Sequence, residues 1–132
     1  MVLDTSVIVA ILLGQAESAA LHRLLAMQSP SLVGAPTLAE TAIVLQGRLG
    51  RTGLTALRSF LVEYDVHSVP FGEEHWRLAA QAFGTFGKGR HPAALNFGDC
   101  LTYATARLAG RPLLCLGDDF ARTDLELVTL PR

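Results

Sequence analysis

Short apolar runs of strand length alternate with longer stretches of helical periodicity from one end of the chain to the other, and few folds accept that order. The runs are residues 2–3, 31–35, 66–71, 112–116 and 125–130. Between them lie segments with apolar residues at helical spacing: 5–13, closed by Gly14; 17–27 (Leu21, Leu24, Leu25); 36–49 (Leu38, Ala42, Leu45, Leu49); 54–64 (Leu57, Phe60, Leu61); 73–86 (Trp76, Ala79, Ala80, Phe83); and a stretch from Phe97 to about Gly110. Gly50 to Gly53 reads as a turn, and residues 87–95 as a polar, glycine-containing loop. Such alternation predicts an α/β fold: one central parallel sheet of about five strands with helices on both faces. Ligands of these sheets bind outside the carboxyl ends of the strands, near the point where the strand order reverses.

At 132 residues the chain fits a single domain, 1–132, with room for one proper core. Its 11 basic and 12 acidic residues leave a formal charge of −1, which argues against a nonspecific nucleic-acid binder. Any RNA contact then needs a local basic patch or a metal ion. Cys100 and Cys115 lack metal-ligand spacing and are expected to be reduced core residues. The longest apolar run, Val7 to Leu13, is far too short to cross a bilayer, and no signal-peptide pattern precedes it. The expectation is a cytoplasmic protein with no membrane partner.

The acidic residues fall in a pattern. Asp4 ends the first strand, Glu40 is expected in the first turn of the helix after the second, Asp99 starts the helix after the polar loop, and Asp118 and Asp119 follow the run 112–116. All would meet at the carboxyl edge of the sheet. Helix capping explains each one separately: Thr37-Leu-Ala-Glu40 fits a capping box, Asn96-Phe-Gly-Asp99 a variant of one, Asp4 a cap on the helix from Thr5, and Asp118 a turn. Two points favour more than caps. Ile43 and Val44 put Glu40 beside apolar surface, where a carboxylate wants a partner. Carboxylates converging on one crevice also repel unless a cation sits between them, and Mg²⁺ suits oxygen ligands of this kind. Other phosphate chemistries fit less well. Ser6 replaces the second acid of an Asp-x-Asp phosphatase motif, and there is no P-loop, no dinucleotide fingerprint and no Gly-x-Ser-x-Gly elbow.

Val2-Leu3-Asp4-Thr5-Ser6 resembles the opening of PIN domains. Lys88 to Cys100, containing Asn96-Phe-Gly-Asp-Cys, and Pro112-Leu-Leu-Cys-Leu-Gly-Asp-Asp-Phe120 with Thr123-Asp124 resemble the VapC branch of that family, in order along the chain. The resemblance implies a metal-dependent endoribonuclease acting as the toxin of a type II toxin–antitoxin pair. It implies catalytic acids Asp4, Glu40 and Asp99, with a fourth at Asp118 or Asp119 and Asp119 favoured as metal ligand. It further implies Mg²⁺ or Mn²⁺ on Asp4, Glu40, Asp99 and Asp119, a VapB-like antitoxin, an RNA substrate and a homodimer. Thr5 and Ser6 match the family's small polar pair, which would orient Asp4 or a water. Lys88, Arg90 and His91 are the phosphate-contact candidates, since glycines let their loop follow a backbone closely. Trp76 and Phe83 are expected in the core. Val7, Ile8, Ile11 and Leu12 are divided between core and interface. Two other functions remain open on the residues alone: a DNA nuclease or phosphatase using the same acids, and a non-enzymatic interaction module whose acids only cap helices.

Overall fold

The computed structural model describes residues 1–130; the last two residues of the expected domain lie outside the described residues. Among the described residues, four strands and six helices follow one another as β1 (Val2–Leu3), α1 (Thr5–Leu12), α2 (Ser18–Met27), β2 (Ser31–Gly34), α3 (Ala35–Leu49), α4 (Arg51–Glu63), β3 (Val66–Val69), α5 (Glu73–Phe86), α6 (Phe97–Ala109) and β4 (Leu113–Leu114). All pairings are parallel, in the order β3-β2-β1-β4. The chain winds outward from β1 to β3, then returns to lay β4 on the free side of β1. The order reverses between β1 and β4, so the crevice of such a sheet opens at their carboxyl ends.

Alternation along the two-residue central strands divides the core. Leu3 and Leu114 face α1 to α4 and pack with Val7, Ile8, Leu25, Val33, Leu45 and Phe60. Val2 and Leu113 face α5 and α6 and pack with Ala82, Leu95, Tyr103, Ala104 and Phe120. Each strand is apolar on both sides, as a sheet covered on both faces requires. Val7 and Ile8 are fully buried and belong to the core, while Ile11 and Leu12 are partly buried and pack against it. No helix among the described residues is long and apolar enough to cross a membrane.

Three expectations need correction. The fifth strand is absent: residues 125–130 contribute one parallel bridge, Leu113 to Leu127, with bonds from Leu113 N to Glu126 O (2.9 Å) and Val128 N to Leu113 O (2.8 Å). A two-residue β4 offers too short a ladder for a neighbour to follow. The turn expected at Gly50 to Gly53 shrinks to one residue. Gly50 adopts φ 64°, a conformation that suits glycine, and α4 starts at Arg51. Trp76 and Phe83 are not core: they are 52% and 39% exposed, while Ala79 and Ala82 form the buried stripe of α5.

The α3–α4 corner depends on Gly53, whose α carbon lies so close to α3 that a β carbon would sit 2.5 Å from the Leu45 carbonyl oxygen. Gly47, on the exposed side of α3, has nothing near the same position. The two glycines should therefore respond oppositely to alanine. Gly47→Ala should gain about 1 kcal/mol from helix propensity alone. Gly53→Ala should lose stability, because overpacking of about 1–3 kcal/mol outweighs that gain. Urea unfolding midpoints of the two variants check the signs.

Candidate active site at the carboxyl edge of the sheet

Backbone geometry delivers the acids to the reversal point. Asp4 N–H donates to Leu114 O (3.0 Å), so Asp4 continues the β1–β4 ladder by one residue before α1 begins. It is the N-cap of α1, its carboxylate accepting from Ser6 N at 3.2 Å and from Ser6 Oγ at 2.6 Å. Asp99 caps α6 reciprocally with Asn96: Asp99 N donates to Asn96 Oδ1 (2.9 Å) and Asn96 N to Asp99 Oδ2 (3.1 Å). For these two residues the capping expectation holds.

It fails for Glu40. Helix α3 starts at Ala35 behind Gly34, with no side-chain cap and no acid in its first turn. Thr37 is buried inside the helix rather than capping it, and Glu40 lies in the second turn. Nothing in the helix start needs Glu40. Its carboxylate instead accepts from Thr5 Oγ1 (2.8 Å) and lies against Gly98 of α6, where a β carbon would come within 3.0 Å of Glu40 Oε2. The bare glycine leaves the carboxylate its space.

The four acids share one electrostatic environment. Asp99 is pushed from an ordinary 3.8 up to about 6, first by burial and then by the charges of Asp119, Asp4 and Glu40, against the lowering effect of the Asn96 backbone bond. The Cys115 thiol, half-buried beyond β4, is pushed up to about 12 by burial and by Asp4, Asp119 and Asp99. It therefore stays a neutral thiol; both cysteines are free, and Cys100 is buried. Asp119 bears on both groups and Asp118 on neither. The loop carrying this pair is held by buried Phe120 and by Asp124, which accepts from Tyr103 Oη (2.6 Å) and pairs with Arg107 (3.5 Å).

The remaining candidates divide. Thr5 and Ser6 are both engaged with carboxylates, Thr5 with Glu40 and Ser6 with Asp4. Lys88 and Arg90 are exposed on a compact loop closed by Lys88 N to Leu95 O (3.0 Å), with the Arg90 guanidinium 5.4 Å from the Phe83 ring centre. His91 works within that loop: Nδ1 accepts from Ala93 N (3.0 Å), and its ring meets Phe86 edge-on. Sequence reasoning missed Gly98, Thr37, Thr41 and Thr102, which carry no charge. The available signal was a run of helix, residues 100–106, without a single ionisable acid or base that could face water.

The family model of the PIN domain matches residues 1–126. The chain belongs to the PIN-domain family. Within it, the protein is similar to the VapC ribonucleases: it is 45% identical over 128 residues to Ribonuclease VapC36 of Mycobacterium tuberculosis, covering 96% of this chain and 91% of that one. Among solved structures it resembles the Mycobacterium tuberculosis VapC20, a Sarcin-Ricin loop cleaving toxin, with a TM-score of 0.80, 21% identity and 98% of each chain covered. It also resembles VapBC2 from Rickettsia felis bound to a DNA fragment from its promoter, with a TM-score of 0.76, 17% identity and 96% of each chain covered. These two likenesses show the shared fold. Ribonucleases of this PIN-domain type are generally metal-dependent.

Among the described residues, no three acidic, histidine or cysteine side chains form a ready-made ligand cage. The donor set nevertheless fits a hard cation. It is all oxygen, and Mg²⁺ needs only one or two carboxylates because it keeps its waters.

Asp99 supplies a pH test on protein stripped of divalent ions. Its folded form holds a proton up to about pH 6, whereas the unfolded chain releases it near 3.8. The folded state then binds more protons across that window, and stability falls as pH rises through it. Asp99→Asn removes this slope while keeping a hydrogen-bond acceptor. Relative to wild type, its melting midpoint should gain at pH 7 and lose that advantage at pH 4.

Proposed function

We propose that the protein is the metal-dependent endoribonuclease of a type II toxin–antitoxin pair, with Asp4, Glu40, Asp99 and Asp119 holding Mg²⁺ or Mn²⁺. The observation that carries this is the placement of Glu40: no helix start uses it, and its carboxylate lies between Thr5, beside Asp4, and Gly98, beside Asp99, at the edge where burial first, and then the charges of Asp119, Asp4 and Glu40, raise the Asp99 carboxyl. Helix capping accounts for Asp4 and Asp99 but not for Glu40, which lies in the second turn of a helix that has no side-chain cap. An RNA phosphate cannot approach such a cluster unless positive charge stands between them. When bound, the divalent ion supplies a water of lowered pKa and neutralises charge at the scissile phosphate.

The chain's own residues do the rest. Ser6 holds Asp4, Thr5 holds Glu40, and the Asn96 cap holds Asp99, so the carboxylates are aimed before any ligand arrives. Burial, and then the charges of Asp119, Asp4 and Glu40, raise the Asp99 carboxyl, and a positive charge placed among them favours its ionised form. Lys88 and Arg90 present positive charge from a loop that leads directly to Asn96 and Asp99, which suits flanking phosphates. His91 is the weaker contact, since one ring nitrogen already serves the loop. No specific observation favours a DNA nuclease or a phosphatase, and the 45% identical relative is a ribonuclease.

The toxin role rests on the same kinship, together with the complex of antitoxin and toxin that VapBC2 represents; a VapB-like antitoxin is the partner this implies. A homodimer is supported by apolar surface beside the site. Phe97 is 79% exposed between two cavities, one of about 340 Å³ against Trp76 and Phe83 and one of about 440 Å³ against Ile43 and Val44. Exposed apolar surface of this extent marks an interaction site. Phe97→Glu should convert a dimer to a monomer in light scattering; an unchanged mass would remove this face as the interface.

Purified protein should cut RNA with Mg²⁺ or Mn²⁺ and stop in EDTA. Asp119→Asn should lower cleavage by at least about 100-fold, the scale expected where a group acts on developing charge, and Asp118→Asn should leave it near wild type. Equal cleavage in EDTA would defeat the metal assignment, and the reverse order of the two variants would move the fourth acid to Asp118.

A further inference from the structure

The hydroxyls that reach the carboxylates do not stand alone. Thr102 sits one turn along α6 from Asp99, buried, with Oγ1 3.3 Å from Asp4 Oδ1. Thr37 of α3, also buried, places its Oγ1 3.1 Å from Thr102 Oγ1. A hydroxyl carries one proton and an ionised carboxylate can only accept. Thr102 donates to Asp4 Oδ1, and with its one proton committed there it accepts from Thr37. The other carboxylate oxygen is served in the same manner, since Ser6 donates to Oδ2 and accepts from Leu116 N at 3.0 Å. Both oxygens of Asp4 are thus gripped from inside the protein by hydroxyls that are themselves held.

The orientation of Thr102 is specific. A helical threonine readily satisfies itself on the carbonyl one turn back. Thr105 does so on Leu101 O (3.1 Å), and Thr41 on Thr37 O (2.7 Å). Thr102, in the same helix as Thr105, is directed instead at a carboxylate 98 residues away in sequence. The approach of α6 to the start of α3 is fixed by Gly34, where a β carbon would come within 2.5 Å of Thr105 Oγ1. Backbone contact therefore brings Thr37 and Thr102 together.

We propose that Thr102, with Thr37 behind it, is a positioning pair that fixes Asp4 for binding a divalent cation. This rests on the metal-dependent assignment above and adds two residues that it does not contain. A hydrogen-bonded partner behind a metal-binding carboxylate is typically worth about 10–100-fold in metal affinity or activity.

The test is Mn²⁺ titration calorimetry on the full chain, freed of bound partner and nucleic acid, beside RNA cleavage. Thr102→Val keeps the shape and removes the hydroxyl; it should weaken Mn²⁺ binding about 10–100-fold while the metal-free protein still melts cooperatively. Thr102→Ser should restore binding. Thr37→Val should weaken it by a smaller factor, and should add nothing in the Thr102→Val background, because the relay is already cut there. Thr102→Val binding Mn²⁺ as wild type does, or Thr102→Ser failing to rescue, overturns this proposal and leaves the metal assignment standing. Wild-type protein that binds no Mn²⁺ overturns both. If Thr102→Val does not fold, Thr37→Val reads the relay from its other end, and unaltered binding there overturns the proposal.

Discussion

Like charge held at the end of a parallel sheet is the constraint around which this molecule is arranged. Asp4, Glu40 and Asp119 come from separate stretches of chain and bear together on Asp99 near the edge where β4 meets β1. Mutual repulsion of that kind costs stability, and a fold keeps it only if rigid elements over-determine the positions. Here each acid hangs on a different element. Asp4 extends a central strand, Glu40 rides on α3, Asp99 caps α6, and Asp119 sits on a loop tied down by Phe120 and Asp124.

Two kinds of polar contact hold this arrangement. Helix starts hold Asp4 and Asp99 through backbone N–H groups, which also places each acid at the positive end of a helix dipole. Hydroxyls hold Asp4 and Glu40 from behind, through Ser6, Thr102 and Thr5. Capping and ligand binding are therefore not rival roles at Asp4 and Asp99. A carboxylate has four lone-pair sites, and the cap uses one or two of them. The same bonds that begin a helix leave the remaining lone pairs aimed and available.

What could be read from the sequence follows from what kind of signal each feature leaves. Asp4 and Asp99 stood out because each sits at an abrupt change from strand or loop to helix. Helix α5 was readable to its ends, because Gly72 and Gly87 bracket its apolar period. At Glu40 the capping reading failed: Thr37-Leu-Ala-Glu40 has the spacing of a capping box, but Pro36 lies in the first turn, the helix begins before Thr37, and Glu40 falls in the second turn. The fifth strand was overread because residues 125–130 are apolar enough for a strand, while pairing depends on β4 being long enough to accept one. The roles of Thr37 and Thr102 were not legible, since a threonine among alanines and leucines looks the same whether its hydroxyl faces a carbonyl or a carboxylate. Trp76 and Phe83 kept the period of a core face although the neighbouring alanines take the inside.

The strand order has a consequence for synthesis. Because β4 is the last strand made and pairs with the first, β1 emerges early with one side unpaired and keeps it open until residues 113–114 arrive. Asp119 follows only five residues later. A chain still leaving the ribosome therefore lacks both the central pairing and Asp119 until residues 113–119 have been made, so the crevice closes late relative to β1, β2 and β3. A truncated product, or a nascent chain cut short, would carry three of the acids on an incomplete sheet with an exposed edge, a form more prone to aggregate than to act on anything.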